Sequence, residues 1–400
     1  MARVSLGVAV AALLVAVWLV AGRQSSVQEA PAPVPDQSRW AKPYCKRGAV
    51  PVRTAEDVRA QASAGHDICV VAAIAGTVDL EDVTTGVHIG TKDAGSLGHI
   101  SARFTEGLTI SARFSSIRAD GAEDLTIDRS VVGGSKQERL DAQLIFIPDG
   151  STNTTISNSD IGWTLADDSG NTGYGIRAYG GHDGLSIVNN RIHDIAADGI
   201  QLGGGDDIVI DRNEIGPVGA NPESTEHSDN IQIVDHGNNL RITNNWIHSQ
   251  GYFGDQVSGN SGVLYVHGES DGGVLVENNL FSNSRGRVEV CGLGTGGTGK
   301  SNVTIRGNTF HDLGQAHEGF PGLQWACDAG TDNRVERNVA IDPDGGFGEA
   351  GGGRAVTLQD NVFGDMAAAT FNRDLECTSP NCNPQGAPPI GYRKPKNVRW

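Results

Sequence analysis

The residue types best suited to acid–base chemistry lie in two similar phrases near the middle of the chain. His227 and Asp229 lie in segment 225–232, Asp198 lies in segment 196–201, and both segments end in a Gly/Asn-Ile-Gln phrase. Histidine can act as a general acid or base near neutral pH, and two carboxyl groups roughly 5–5.5 Å apart suit a retaining glycosidase. We therefore predict His227, Asp229 and Asp198 as catalytic residues.

These side chains can meet only if the chain returns to the same place, and a repeated phrase indicates that it does. An apolar-x-apolar-x-x-Asn-x-apolar pattern places Asn at positions 190, 213, 245, 279, 308, 338 and 361. Such a period is typical of solenoids, and alternating apolar residues over three to five positions predict short strands. With Gly and Asp at the corners, the pattern predicts an all-β parallel β-helix. The Asn residues themselves are interpreted as corner residues and a buried amide ladder.

A second short strand precedes each Asn phrase and carries the side chains that would bind a ligand. Its outward positions, stacked about 4.8 Å apart in successive coils, are Arg177, Gln201, Gln232, Leu264, Glu289 and Gln324. A polar strip of this kind suits a linear glycan that crosses the coils, and the alternative is a hydrated sheet surface with stacked glutamines. We predict that substrate is bound by four of these residues, namely Arg177, Gln201, Gln232 and Glu289.

The carboxyl pair has alternative interpretations. Asp198 and Asp229 in neighbouring coils would lie about 4.8 Å apart, where they would either hold a cation such as Ca²⁺ or raise the pKa of one carboxyl. An Asp before Gly or Asn also commonly caps its own turn. These alternatives stay open at this level, and no cofactor is assigned.

Three histidines share one column of the repeat. His193, His248 and His311 each follow the apolar residue that ends an Asn phrase, but Gly216 and Ser282 stand between them. Alternate coils are roughly 10 Å apart, which is too far for one metal ion, so we interpret the three as turn residues. His267, like His227, lies outside this column and is a better candidate for proton transfer.

Together the repeats resemble the right-handed parallel β-helix repeat proteins of the pectin-lyase-like superfamily, in particular its secreted bacterial members, over about residues 68–364. The resemblance implies a single-stranded right-handed solenoid of about ten coils. Members include polysaccharide lyases, glycosidases, epimerases, glycan binders and surface proteins without catalysis, so the fold leaves the activity open. Segment 276–281 followed by Glu289 is similar to alginate and chondroitin lyases, but Cys291 follows where their basic pair is expected, so no residue roles are carried over.

The composition limits the classes of molecule that the protein is expected to bind. The chain of 400 residues carries a formal net charge of −17 and has a pI of about 5.0 with 6% aromatic residues. Because it has no basic stripe, we exclude nucleic acid as a partner. The net charge also disfavours a polyuronate unless a cation or a local basic patch intervenes. We expect a monomer.

The ends of the chain predict export and capping. Residues 1–22 are interpreted as a signal peptide or an N-terminal membrane anchor, so the protein would be secreted or held at the outer side of the membrane. A Pro-rich linker follows at 23–40, then an N-terminal cap at 41–67 with a helix starting at Thr54, the β-helix at 68–364, and a C-terminal cap or tail at 365–400.

Six cysteines in an exported chain suggest disulfide bonds. The pairings favoured by proximity and by place in the repeat are Cys45 with Cys69, Cys291 with Cys327, and Cys377 with Cys382.

The sequence therefore predicts an exported β-helix protein that binds or acts on extracellular polysaccharide, as a lyase, an epimerase or a glycosidase. The alternative is a non-catalytic surface or structural solenoid whose polar column is only solvated. Clustered ionisable groups in a groove would favour the enzyme, whereas side chains that cap turns would favour the structural protein.

Overall fold

The computed structural model describes residues 40–84, 86–92, 94–135, 140–165, 173–219, 228–235, 237–249, 262–267, 272–284, 286–290, 302–313, 323–325, 332–341, 347–349, 356–361 and 392–396. Alternating Ile, Val, Leu and Phe side chains in these segments point inward and form one continuous hydrophobic core. Strands this short cannot be stable alone, so each coil is held by pairing with the coils before and after it. All strand pairs are parallel, as a solenoid requires. The predicted all-β parallel β-helix is confirmed.

Each coil contributes strands to up to three stacks, which we call the a, b and c series. In the described residues, the a series forms one sheet of thirteen strands. In stacking order these are β1 (Val50–Val52), β2 (Ile68–Val70), β4 (His88–Thr91), β6 (Thr109–Ser111), β8 (Thr126–Asp128), β12 (Thr155–Ser157), β16 (Ser186–Val188), β19 (Val209–Asp211), β22 (Leu240–Thr243), β25 (Val274–Glu277), β28 (Val303–Arg306), β31 (Asn333–Glu336) and β34 (Val356–Gln359).

The b and c series share a second sheet because they are continuous in the first coils. There, single long strands serve both series, and these are β3 (Ala73–Glu81), β5 (Ser96–Arg103) and β7 (Arg113–Asp120). The b series then continues as β9 (Val131–Gly133), β13 (Asp160–Gly162), β17 (Arg191–His193), β20 (Glu214–Ile215), β23 (Trp246–His248), β26 (Leu280–Ser284), β29 (Thr309–Leu313) and β32 (Val339–Ile341).

The c series carries the candidate site. Its strands are β11 (Ile145–Ile147), β15 (Ile176–Tyr179), β18 (Ile200–Gly203), β21 (Ile231–Asp235), β24 (Gly262–Val266), β27 (Arg287–Val290), β30 (Leu323–Trp325) and β33 (Phe347–Glu349). A separate pair, β10 (Leu140–Asp141) and β14 (Thr164–Leu165), lies outside both sheets. Residues 194–199 connect β17 to β18 and lead directly into the c series.

The corner between the a and b series is held by the repeated asparagines. Each Asn side chain donates to the Oδ1 atom of the Asn in the next coil, from Asn190 to Asn361, at distances of 2.9–3.1 Å. The predicted amide ladder is therefore present. The left-handed corner conformation falls one residue earlier, for example at Asn189 and Arg212 with φ of 56° and 55°. The ladder Asn thus supplies hydrogen bonds, and its predecessor makes the bend.

The N-terminal end is closed by helix α1 (Ala55–Ser63). Thr54 is its N-cap and accepts a hydrogen bond from Asp57 N at 3.1 Å, as predicted. Val58 and Ala62 pack into the core. A disulfide joins Cys45 to Cys69 of β2, as expected. The other four cysteines lie outside the described residues, so their pairings stay predictions.

Near the C-terminus, segment 392–396 runs along the side of the solenoid at the a–b corner. Tyr392 is 1% exposed, and its N–H donates to Thr309 Oγ1 at 2.9 Å. Arg393 and Asn278 exchange two further hydrogen bonds. No helix within the described residues is long and apolar enough to cross a membrane, and the apolar run in 1–22 lies outside them.

Candidate functional site

The c strands bring the predicted binding residues into one outward column. Arg177 pairs with Gln201, and Gln201 pairs with Gln232. The next member is Tyr265, which pairs with Gln232 on one side and with Glu289 on the other. The four predicted residues therefore lie on one face, with a tyrosine among them.

The prediction that Leu264 belongs to this column is wrong. A register shift between Gly262 and Leu264 moves the strand by one position, so that Leu264 pairs with Ile231. Leu264 is fully buried and part of the core. A one-residue shift exchanges the two faces of a strand, and this is why Tyr265 points outward instead.

The glutamines of the column are fixed by hydrogen bonds. Gln201 Nε2 donates to Asp198 Oδ2 at 2.9 Å and also to Gln232 Oε1 in the next coil. Gln201 is only 6% exposed, whereas Gln232 is half-buried. The amide pair thus bridges two coils, which sets the orientation of both side chains.

Asp198 and Asp229 lie in successive coils at the start of c strands, and both are buried. Asp198 Oδ1 accepts the Asp229 N–H at 2.8 Å, and Asp229 Oδ1 accepts the Gly262 N–H of the following coil. Each carboxylate therefore caps the backbone of the next coil. Cation binding at this pair stays a prediction.

His227 lies outside the described residues. The catalytic assignment of His227, Asp229 and Asp198 therefore stays a prediction. In the described segments, no group of three or more His, Cys, Asp or Glu side chains could hold a metal ion.

His267, which directly follows β24, lies beside the end of the column. Its Nε2 atom is 3.5 Å from Glu289 Oε1, and the Tyr265 ring meets its ring edge-on with centroids 5.1 Å apart. The Glu289 side chain is 1% exposed, whereas that of His267 is 34% exposed. A buried carboxylate beside an accessible imidazole is an arrangement suited to proton transfer.

A less polar column runs beside the polar one. Tyr179 pairs with Gly203 of the next coil, and its ring lies where a Gly203 side chain would be, 2.7 Å from the ideal Cβ position. Any larger residue at 203 would displace the ring. In the following coil a bulge pairs Gly203 with Asp235, and Val234 beside it is 44% exposed. The Tyr179 ring over Gly203 is therefore a short apolar patch next to Arg177 and Gln201, and the column continues with an acidic residue.

Arg177 is held between two aromatic rings. Its guanidinium carbon is 4.5 Å from the Tyr174 ring centroid and 4.9 Å from that of Tyr179. Such contacts are favourable and restrict the orientation of the cation. The side chain is half-buried and stands beside Gln201 in the column.

Sequence reasoning missed a charged network on the b strands. Asp160, Arg191 and Glu214 are successive residues of one column, opposite the core isoleucines, and each is less than 10% exposed. His193 bridges Asp160 at 2.8 Å and Asp194 at 2.7 Å. The three column histidines are separated as predicted, because Ser282 pairs with both His248 and His311. The missed signal was the charged residue that follows the ladder residues Asn190 and Asn213.

The network perturbs His193. Burial lowers the pKa of His193, but the hydrogen bonds from Asp160 and Asp194 outweigh burial, so the pKa is raised above its usual value. Glu214 lies 3.6 Å from Arg191 and 3.7 Å from His248, which carries the charged contacts into the next coils. Because His193 is 1% exposed, the network holds coils together and is not open to a ligand.

Residues 106–287 match a family model described as the right-handed β-helix region. No curated protein matches the sequence at a significant level. Among solved structures, the chain is similar to the mannuronan C-5 epimerase AlgE4 A-module of Azotobacter vinelandii, at 12% identity and a TM-score of 0.41 over 77% of this chain and 89% of that one. It is also similar to PfbA, a surface adhesin of Streptococcus pneumoniae, at 11% identity and a TM-score of 0.40 over 80% and 92%.

A third similar structure is an alginate lyase, AlyF-OU02, at 12% identity and a TM-score of 0.45 over 90% of this chain and 94% of that one. The parallel strand topology and the family match agree with each other. The chain is a right-handed parallel β-helix protein.

Proposed function

We propose that the protein binds a linear extracellular polysaccharide along the outward face of its c strands, as an exported monomer that is secreted or held at the outer side of the membrane. The observation that carries this proposal is a polar column with an apolar patch beside it. Gln201 and Gln232 stand in the column, and the Tyr179 ring over Gly203 is the patch.

The polar column and the apolar patch match the surface of a sugar chain. A pyranose ring has an apolar C–H face, which packs on aromatic and aliphatic groups, and polar edges, which hydrogen-bond to amides. The outward side chains of successive coils lie about 4.8 Å apart. A sugar chain that crosses the coils would therefore meet an outward side chain at regular intervals. Since Gln201 and Gln232 are already hydrogen-bonded to each other, little side-chain entropy is lost on binding.

Within this binding function, two finer alternatives differ in chemistry. Lyase, epimerase or glycosidase activity is supported by His267, which lies next to the buried Glu289. A binding protein without turnover is supported by Asp198 and Asp229, whose carboxylates accept backbone N–H groups of the next coil. His267 then positions ligand rather than transferring a proton.

The first prediction concerns the binding strip, which is the polar column of the c strands together with the Tyr179 ring. Tyr179→Ala removes the apolar platform and Gln232→Ala removes the amide bridge, so each should weaken binding to the best polysaccharide of a glycan panel by about tenfold, equivalent to about 1.4 kcal/mol. The matched control is Arg241→Ala, an exposed side chain on a strand of the a series. Affinity is measured by titration calorimetry with the full chain.

The same panel separates the two alternatives. Unsaturated-product absorbance and reducing ends are measured for the natural protein, His267→Ala, His227→Ala and Asp229→Asn. Turnover that disappears in His267→Ala with binding retained supports catalysis at His267. Binding without turnover supports the non-catalytic alternative. If Tyr179→Ala and Gln232→Ala bind as tightly as Arg241→Ala, the strip is not the binding surface.

A further inference from the structure

We propose that Arg177 is an anion-binding subsite within the strip, so that the polysaccharide bound there carries carboxylate or sulfate groups. This inference rests on the proposed function and names the chemical class of its ligand. It also departs from the expectation, based on the net charge of −17, that anionic glycans are disfavoured.

Among the described residues, the charge of Arg177 has no counter-ion. Many arginines of this acidic chain have a carboxylate partner. On the long strands β5 and β7 of the same sheet, Arg103 lies 3.0 Å from Glu81 and Arg118 lies 2.8 Å from Asp120. In contrast, within the part of the chain that the structure describes, no carboxylate lies within 4.0 Å of the Arg177 guanidinium. A half-buried cation without a counter-ion costs free energy in the free protein. A bound anion reduces that cost.

The aromatic rings explain how this cation is kept in place. Tyr174 and Tyr179 both contact the guanidinium, and Arg177 Nε is buried and donates no hydrogen bond within the protein. A guanidinium held by two rings is preorganised for an acceptor, because it loses little side-chain entropy when a ligand binds. A buried donor without an acceptor is rare in folded proteins and indicates a place that another group completes.

The neighbouring residue adds a complementary group. Gln201, the register partner of Arg177, uses its Nε2 for Asp198 and Gln232, while its buried Oε1 atom accepts no hydrogen bond from the described residues. A cation and a hydroxyl acceptor in adjacent coils, about 4.8 Å apart, match a sugar that carries an anionic group beside its hydroxyls. The Tyr179 ring over Gly203 is the adjoining surface for the apolar face of the same sugar.

Net charge does not oppose this assignment at short range. Repulsion from distant carboxylates is screened within roughly 8–10 Å at physiological salt, whereas a direct guanidinium contact is screened much less. Long-range repulsion therefore slows the encounter, and the local contact decides which glycan remains bound.

The test compares matched polymers on the intact protein. Alginate and chondroitin sulfate are titrated beside carboxyl-reduced alginate and beside chondroitin that is both desulfated and carboxyl-reduced, which are the same chains without charge. We expect the anionic polymers to bind about tenfold or more tightly than their neutralised counterparts. Arg177→Met should remove that preference, so that it binds anionic and neutralised polymers equally. Chondroitin that is only desulfated keeps the carboxylate and chondroitin that is only carboxyl-reduced keeps the sulfate, and the two together separate carboxylate from sulfate as the recognised group.

Two further variants make the result specific. Arg177→Lys keeps the charge without the planar fork and should retain part of the preference. Arg241→Met changes the net charge equally on a strand of the a series and should retain all of it. A preference that survives in Arg177→Met, or equal binding of anionic and neutralised polymers by the natural protein, overturns the anion subsite and leaves the strip intact. Failure to bind any polymer overturns both proposals.

Discussion

Single amide side chains hold the coils of this solenoid in register. Asn245 accepts hydrogen bonds from Asn213 N and Nδ2 at 2.9 and 3.1 Å, and its own Nδ2 donates to Ile210 O and Asn279 Oδ1 at 2.9 Å. The side chain is fully buried. Every amide group of the ladder therefore depends on the coils on both sides, and losing one member leaves polar atoms of its neighbours without partners.

We expect Asn245→Ala to lower the free energy of unfolding by about 2–4 kcal/mol, because each buried polar group left unpaired costs about 1–3 kcal/mol. Urea denaturation followed by circular dichroism measures the change. The exposed substitution Arg241→Ala in the adjacent a strand should stay within about 0.5 kcal/mol of the natural protein. Equal losses in the two variants would contradict a stabilising role for the ladder.

At the scale of elements, the b and c series of one sheet have different tasks. The b strands carry a buried network in which His193, Asp160 and Arg191 join neighbouring coils. The c strands carry the open strip with Gln232 and Arg177. Asn230 links the two series, since its Nδ2 donates to Ile215 O and His248 O at 3.0 Å. The b strands therefore form the rigid support on which the c strip is placed.

The raised pKa of His193 predicts how this support responds to pH. The charged groups around the imidazole are Asp160, Asp194 and Arg191. Because the folded pKa lies above the ordinary value of 6.5, protonated His193 stabilises the fold fully below about pH 6.5, and this contribution is lost as pH rises through the raised pKa. We expect His193→Gln to lower the melting temperature most at acidic pH and less as pH rises.

Differential scanning calorimetry from pH 5 to 9 measures that difference. His99→Gln is the control of opposite sign, since burial lowers the pKa of His99. Because the folded protein holds His99 neutral, its free energy of unfolding falls as pH drops below the pKa of the unfolded chain. His99→Gln should therefore raise the melting temperature at acidic pH relative to the natural protein. If His193→Gln lowers the melting temperature by the same amount at every pH, the result would contradict a charged His193 in this network.

For the whole molecule, the described terminal segments act as side straps on the solenoid. Segment 40–47 runs beside the first coils, where the Tyr44 ring lies 4.9 Å from His88 and 4.3 Å from the Arg129 guanidinium. Segment 392–396 lies against the a–b corner at Asn278. A stack of coils has two open ends with exposed strand edges, and contacts of this kind limit fraying.

The disulfide that holds the first strap should contribute measurably to stability. Cys45 and Cys69 are 24 residues apart in sequence, and closing a loop of that length stabilises a fold by roughly 3 kcal/mol in the chain-entropy model. We expect the double variant Cys45→Ser/Cys69→Ser to have a free energy of unfolding lower by about that amount. Its urea transition should therefore lie at a lower concentration. Reductant should lower the free energy of unfolding of the natural protein more than that of the double variant, which lacks this disulfide. Unaltered stability of the double variant would show that the strap is held by packing alone.

The sequence alone was sufficient for the fold and for the ladder. A repeat at short intervals can bury its apolar residues only by stacking, so the Asn phrase predicts coils, the Asn ladder and the face on which Gln201 follows Arg177. Thr54 as N-cap and the Cys45–Cys69 pair were also predictable, because both depend on neighbours that are close in sequence. Local sequence patterns are therefore enough to predict these features.

Only the tertiary structure decided which side chains meet across coils. The bulge in β24 puts Tyr265 where periodicity places Leu264, because a shift of one residue reverses a strand and leaves little trace in composition. Asp198 looked like an acid of a catalytic pair, and the structure shows that its carboxylate accepts the N–H of Asp229 one coil away. The sequence was equally silent on Arg177, for which no carboxylate partner lies within the described segments, since that depends on every residue that packs around it.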